Sequence, residues 1–162
     1  MLILEPIIHW IHLMAAVIWA GGMVFTAIVL APIARKEVPP QIRGPLFNKI
    51  GKRFSRVGWI ALILLIATGT YKIISGWESW ENFLSPYGIV LAVKILIVII
   101  VIILSLIHDL IWGPRLAAFS SADMGSDGFK TTLSKLTFWA RVNVFLVILI
   151  LFLAAWLRMN PF

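Results

Sequence analysis

The chain has 162 residues, 61% of them apolar and 13% charged, with a mean hydropathy of +1.00; a soluble domain is nearer half apolar and a quarter charged, so that class is excluded. Fourteen Lys and Arg against seven Asp and Glu give a net charge of +7, which in a membrane protein reads as topology, with no nucleic-acid role expected. Cysteine is absent, which excludes disulfides, iron–sulfur clusters, thiolate metal sites and covalently attached haem.

A spanning helix needs about 20 mostly apolar residues. Four segments meet that length: Pro6 to Ala34, Val57 to Ile74, Pro86 to Trp112 and Phe138 to Leu157. None alternates with period two, as a membrane strand would. The expected fold is all-α: a single transmembrane four-helix bundle spanning residues 1–162.

The chain opens Met-Leu-Ile-Leu-Glu ahead of the first span. Its positive charge follows the apolar run instead of preceding it, so the segment is expected to be retained and not cleaved as a signal peptide. Along it His9, His12, Ala16, Trp19 and Met23 recur at spacings of three and four and share one face, which the histidines mark as facing the bundle. Gly21 and Gly22 permit close approach of a neighbouring helix or a flat ligand. His9 and His12 can chelate one metal ion together. The alternatives are an interfacial His9 beside Trp10 and a His12 bonded to a core carbonyl.

Val38-Pro39-Pro40 and Gly44-Pro45 are then expected to break the chain. Leu46, Phe47, Ile50, Phe54 and Val57 recur at helical spacing opposite Lys49, Lys52, Arg53 and Arg56. That pattern predicts an amphipathic helix lying on an anionic inner leaflet before the second span enters the membrane.

In the third span Lys94, Val98, Val101, Ser105 and His108 share a face. Lys94 lies at nearly the depth of His12, and a snorkel outward would climb about two turns. A buried carboxylate from a bound cofactor or substrate is the favoured partner. His108 and Asp109 close the span, expected near Arg141 at the start of the fourth, either as an inner site or as a solvated cluster. Lys94 and His108 are separated by about 21 Å of helix rise, so His12 and His108 should not ligate one iron within one chain. Ser120 to Gly128 reads as a turn region, and Thr26, Thr68, Thr70 and Asn143 as interhelical hydrogen-bonding residues.

Arg35, Lys36, Arg43, Lys49, Lys52, Arg53 and Arg56 lie in the first connection, and Arg115, Lys130, Lys135 and Arg141 in the third. Only Lys72 and Arg158 lie on the other side. The positive-inside rule then places both termini outside and both long loops in the cytoplasm. Trp10, Trp77, Trp80 and Trp156 fall near the outer boundary and Trp59, Trp112 and Trp139 near the inner one, while Trp19 lies at mid-depth.

His12-Leu-Met-Ala-Ala-Val-Ile-Trp19-Ala-Gly-Gly22-Met-Val-Phe25 resembles the first-helix signature of the CopD-like copper-resistance membrane domain, whose superfamily includes the HemJ-type protoporphyrinogen oxidases. The similarity continues through Phe54-Ser-Arg56, Ala67-Thr68-Gly69, Lys94, His108 and Arg141-x-Asn143. The chain departs from the HemJ branch at Ile28-Val-Leu-Ala-Pro32 and at Asn143-Val-Phe-Leu, where a glutamate is missing, which argues against porphyrinogen oxidation. The resemblance implies a multi-pass protein of a prokaryotic inner (plasma) membrane.

The expected function is that of a b-type haem protein in electron transfer or oxidoreduction, with a quinone or small redox partner. His12 would be the iron ligand, Trp19, Gly21 and Gly22 the apolar shell, and Lys94 or Arg141 the propionate partner. His9 and His108 are further candidate metal ligands. The alternative is copper transport or resistance, with His9, His12, Met14 and Met23 at the outer side; the third is a membrane packing partner. A homodimer with a flat cofactor at its interface suits the small bundle.

Overall fold

The structure is a computed structural model describing residues 3–76, 84–119, 123 and 125–159. Trp77, Glu78, Trp80 and Glu81, with Ser120, Ser121, Ala122 and Met124, lie outside the described residues. Four helices long and apolar enough to cross a membrane make up the fold. They are α1 (Leu4–Glu37), α2 (Pro40–Gly76), α3 (Pro86–Ala117) and α4 (Asp127–Met159). In hydrocarbon every backbone amide must find its partner within its own segment, which is why helices this apolar run unbroken.

The helices overrun the expected spans at the end carrying the basic connections. Val38 is extended (φ −99°, ψ 125°) and ends α1, as the Val38-Pro39-Pro40 run predicts. Gly44-Pro45 does not break the chain: Pro45 lies inside α2. It sits in the second turn, where the only carbonyl it leaves without a helical donor is that of exposed Gln41. The amphipathic segment has the expected faces except at Val57, which is exposed: Leu46, Phe47, Ile50 and Phe54 are half-buried and Lys49, Lys52, Arg53 and Arg56 exposed. Yet it is continuous with α2, without the break at Val57 that a separate helix in the membrane plane would need. Its 37 residues reach about 55 Å, against about 30 Å of hydrocarbon.

The other helix starts follow from caps. Ser85 accepts the Gly88 amide at 3.1 Å and Pro86 takes the first turn of α3. Ser126 accepts the Phe129 amide at 3.2 Å, so α4 begins within the stretch expected as a turn.

Helices α1 and α2 pack antiparallel along their length. Trp19 Cδ1 lies 3.8 Å from where a Cβ on Gly58 would stand, and a Cβ on Gly22 would collide with the Phe54 ring. Gly22 makes the close helix approach expected of it. Around this contact Ala15, Trp19, Ala20, Ala61, Leu62, Ile97, Val101, Val147 and Ile150 form a core drawn from all four helices. Val101 and Val147 are completely enclosed. Elsewhere the apolar side chains point outward: between 6% and 22% of the most apolar window of each span is buried within the bundle. Lipid is the solvent for the rest.

Three wide π turns interrupt the α-helical ladder, at Val17–Gly21, Thr26–Leu30 and His108–Trp112. Thr26 bonds the Gly22 carbonyl of its own helix at 2.8 Å, in place of the interhelical bond expected of it. Such turns recur at functional positions, and here one contains Trp19 and another begins at His108.

The glycine pair gives a direct test. Gly22→Ala is expected to cost about 1–3 kcal/mol by overpacking against Phe54. Gly21, which has nothing within 4 Å of a Cβ, should accept Ala within about 0.5 kcal/mol. Thermal unfolding in detergent compares them, and Phe54→Leu should relieve the Gly22→Ala defect.

Candidate functional site

Polar side chains at membrane depth gather at the two ends of the bundle, separated by the apolar core. At the end holding the chain termini, His12 on α1 faces Thr68 on α2. Nδ1 of His12 is 2.7 Å from Thr68 Oγ1, and Thr68 Oγ1 is 2.6 Å from the Leu64 carbonyl. A threonine hydroxyl has one proton. The carbonyl can only accept, so Thr68 gives that proton to Leu64 and accepts from Nδ1–H of His12. The imidazole is thereby held in the tautomer whose Nε2 carries the lone pair. The ring lies against α2, with Cε1 3.5 Å from the Cβ position of Gly69.

Nε2 of His12 stays available. Among the described residues the one buried side-chain polar atom without a partner is Oδ1 of Asn143, so Nε2 is not sealed inside the bundle. An imidazole with Nδ1–H anchored and Nε2 free is arranged as a metal-bound histidine is by its outer-shell partner.

His9, one turn earlier, is arranged differently. Lys72 on α2 lies 2.6 Å from its Nδ1. An ammonium can only donate, so the lone pair of His9 is used and its proton sits on Nε2. As placed, His9 offers no free donor pair to an ion held by His12. Lys94 on α3 is half-buried and within electrostatic range of His12, as the shared depth predicts. Met14 turns to an apolar groove of about 290 Å³ between α1 and α2, lined also by Trp10, Ile18, Ile60 and Leu64. Met23 packs on the core instead, and Trp19, 5% exposed, is part of that core.

At the opposite end the centre is a carboxylate. Asp109 accepts from Nδ1 of His108 at 2.9 Å, from Ser55 Oγ at 2.5 Å and from Trp59 Nε1 at 3.2 Å. Three donors from two helices hold the charge, and His108 also presents Nε2 outward, its side chain 40% exposed. Arg141 is not part of this cluster: it is exposed and makes no ion pair among the described residues. Asp109 is satisfied instead by Ser55 and Trp59 of α2 and by His108 beside it. Ser55 and Trp59 went unnoticed as site residues, although their four-residue spacing puts both on one face of α2 toward an acceptor. Asn143 donates to Ser105 at 3.0 Å, an interhelical bond as expected. No group of three or more metal-ligating His, Asp or Glu side chains exists among the described residues.

Residues 48–157 match the family described as Copper resistance protein D. Phe54, Thr68, Lys94, His108, Asp109 and Arg141 fall inside that range, and His9, His12 and Trp19 outside it. The chain is also 33% identical over 124 residues to a protein of Aquifex aeolicus (strain VF5) described as uncharacterized, covering 74% of this chain and 78% of the relative. No solved structure matches the chain.

Removing the central acceptor should be costly. Asp109→Ala leaves three donors without their partner and is expected to lower stability by about 2–4 kcal/mol. Asp109→Asn, which keeps one acceptor oxygen, should lose less. Chemical denaturation followed by tryptophan fluorescence measures both, with a red shift from Trp59 expected in the alanine variant.

Proposed function

The chain belongs to the copper resistance protein D family, and on that footing we propose that it is a membrane protein that takes up copper at His12. The observation that carries this reading is the His12–Thr68–Leu64 chain, which leaves a free, oriented Nε2 at the end of the bundle holding the termini. Imidazole suits copper in either oxidation state, and with cysteine absent it is the strongest neutral donor here. His108, held by Asp109, is the matching donor at the far end. The excess of basic residues in the first and third connections supports an orientation with both termini outside, so that His12 meets copper first and His108 faces the cytoplasm.

A b-type haem is the second reading, favoured by one observation: Lys94 and Lys72 surround His12 with positive charge, which suits a cofactor bearing carboxylates better than a bare cation. His12 would ligate the iron, and the two lysines would pair with the carboxylates of such a cofactor.

Purification from copper-supplemented cells, followed by metal analysis and an absorption spectrum, separates the two readings. Stoichiometric copper that disappears in His12→Ala is the expected result. Thr68→Val, which removes the acceptor at near-constant volume, should weaken copper binding by about 10–100-fold, and Thr68→Ser should restore it. Copper content unchanged in His12→Ala would overturn the assignment, and a Soret band lost with His12 would replace copper by haem.

A further inference from the structure

Two polar rungs join α1 to α2 at the termini end, and they are wired in opposite senses. His9 and His12 stand three residues apart on α1, and Thr68 and Lys72 four apart on α2. The antiparallel pair therefore brings His12 to Thr68 and, one turn nearer the termini, His9 to Lys72. On the first rung the α2 side chain accepts, and His12 keeps a lone pair on Nε2. On the second the α2 side chain donates across 2.6 Å, and the lone pair of His9 is spent on an ammonium. Lys72 thus withholds a donor that shares a helix face with His12.

A second seat for that ammonium lies close by. Glu5, four residues before His9, lines one cavity of about 220 Å³ together with Lys72, Tyr71 and Ser75. Glu5 is exposed and forms no ion pair among the described residues. Lys72 is exposed too, and its charge rides on a flexible four-carbon stem. A carboxylate is a better partner for an ammonium than a neutral imidazole. A cation arriving at His12 tips the choice further, because it repels the ammonium held one turn away at His9. With Lys72 gone, His9 regains its lone pair, and two histidines three apart on one helix can hold one ion.

We propose that Lys72 is a latch on a second copper donor: it holds the lone pair of His9 until copper reaches His12, then passes to Glu5, so that His9 and His12 bind the ion together. The latch rests on copper uptake at His12 and regulates how that same site is completed.

The test uses the full chain in neutral detergent, with copper(II) as the probe and glycine as the competing ligand. A His108→Gln background keeps the imidazole at the far end out of the count. Pulsed EPR should then find two coordinated imidazoles, and one when His9→Ala is added. Lys72→Leu should tighten copper binding about tenfold, since the ammonium bond to His9 no longer has to break. Lys72→Ala gives the same reading if the leucine variant fails to fold. The gain should vanish with His9→Ala, which separates release of His9 from removal of a repelling charge. Lys72→Arg, which keeps a charged donor, should show no gain. Glu5→Gln should weaken binding about threefold, and have no effect once Lys72 is replaced by leucine. A single imidazole with His9 present, no gain from Lys72→Leu, or an equal gain with and without His9 would overturn the latch while leaving uptake at His12 intact. Copper retained in full by His12→Ala defeats uptake at His12 itself, and the latch with it.

Discussion

Much of this protein's chemistry depends on the destination of one proton. Within a bilayer there is no water to absorb an unmatched donor, so each hydroxyl and ring nitrogen is assigned by its neighbours. Thr68 is committed to the Leu64 carbonyl, and that commitment decides which nitrogen of His12 is protonated. A core histidine bonded through either nitrogen would be a packing element. One with its donor side fixed and its acceptor side accessible keeps a lone pair to offer. The same logic recurs at His108, where a carboxylate takes the place of the threonine.

The close seam between α1 and α2 puts Thr68 within reach. Gly22 receives the ring of Phe54, and Gly58 lets Trp19 approach. In lipid, apolar burial does not by itself bring helices together, and small residues that let backbones approach supply the contact. Gly22 and Trp19 thus belong to the seam that brings α1 and α2 together. Trp19 serves both the seam and the core, and its burial excludes polar atoms from the middle of the bundle.

The four spans were legible because apolar runs of that length have few other uses. The segment ahead of the second span was legible as a helix but not as one continuous with α2, and the overrun of α4 was not legible, since charged residues lower hydropathy without lowering helix propensity: Lys and Arg are good helix formers. The common depth of His12 and Lys94 followed from helix rise alone. The partners of His12 and Asp109 did not, because they depend on the register of one helix against another. That register is set here by the shape of Gly22 against Phe54 and of Trp19 against Gly58, which periodicity does not encode. Arg141 illustrates the limit: nearness in depth placed it beside His108, but the side chain points away from the bundle, and Ser55 and Trp59 from another helix fill the role.

The enclosed layer around Val101 and Val147 also has an electrical meaning. A membrane potential falls mainly across the region of lowest dielectric constant, and in this bundle that is the dry band between the two polar ends. Moving one elementary charge through the full potential is worth about 2.3 kcal/mol per 100 mV. A charge at the His12 end and one at the His108 end therefore sit at different electrical heights, even though the two imidazoles are held in nearly the same way. Two similarly held imidazoles on either side of an insulator therefore differ in electrical environment, with a polarity that the energised membrane sets.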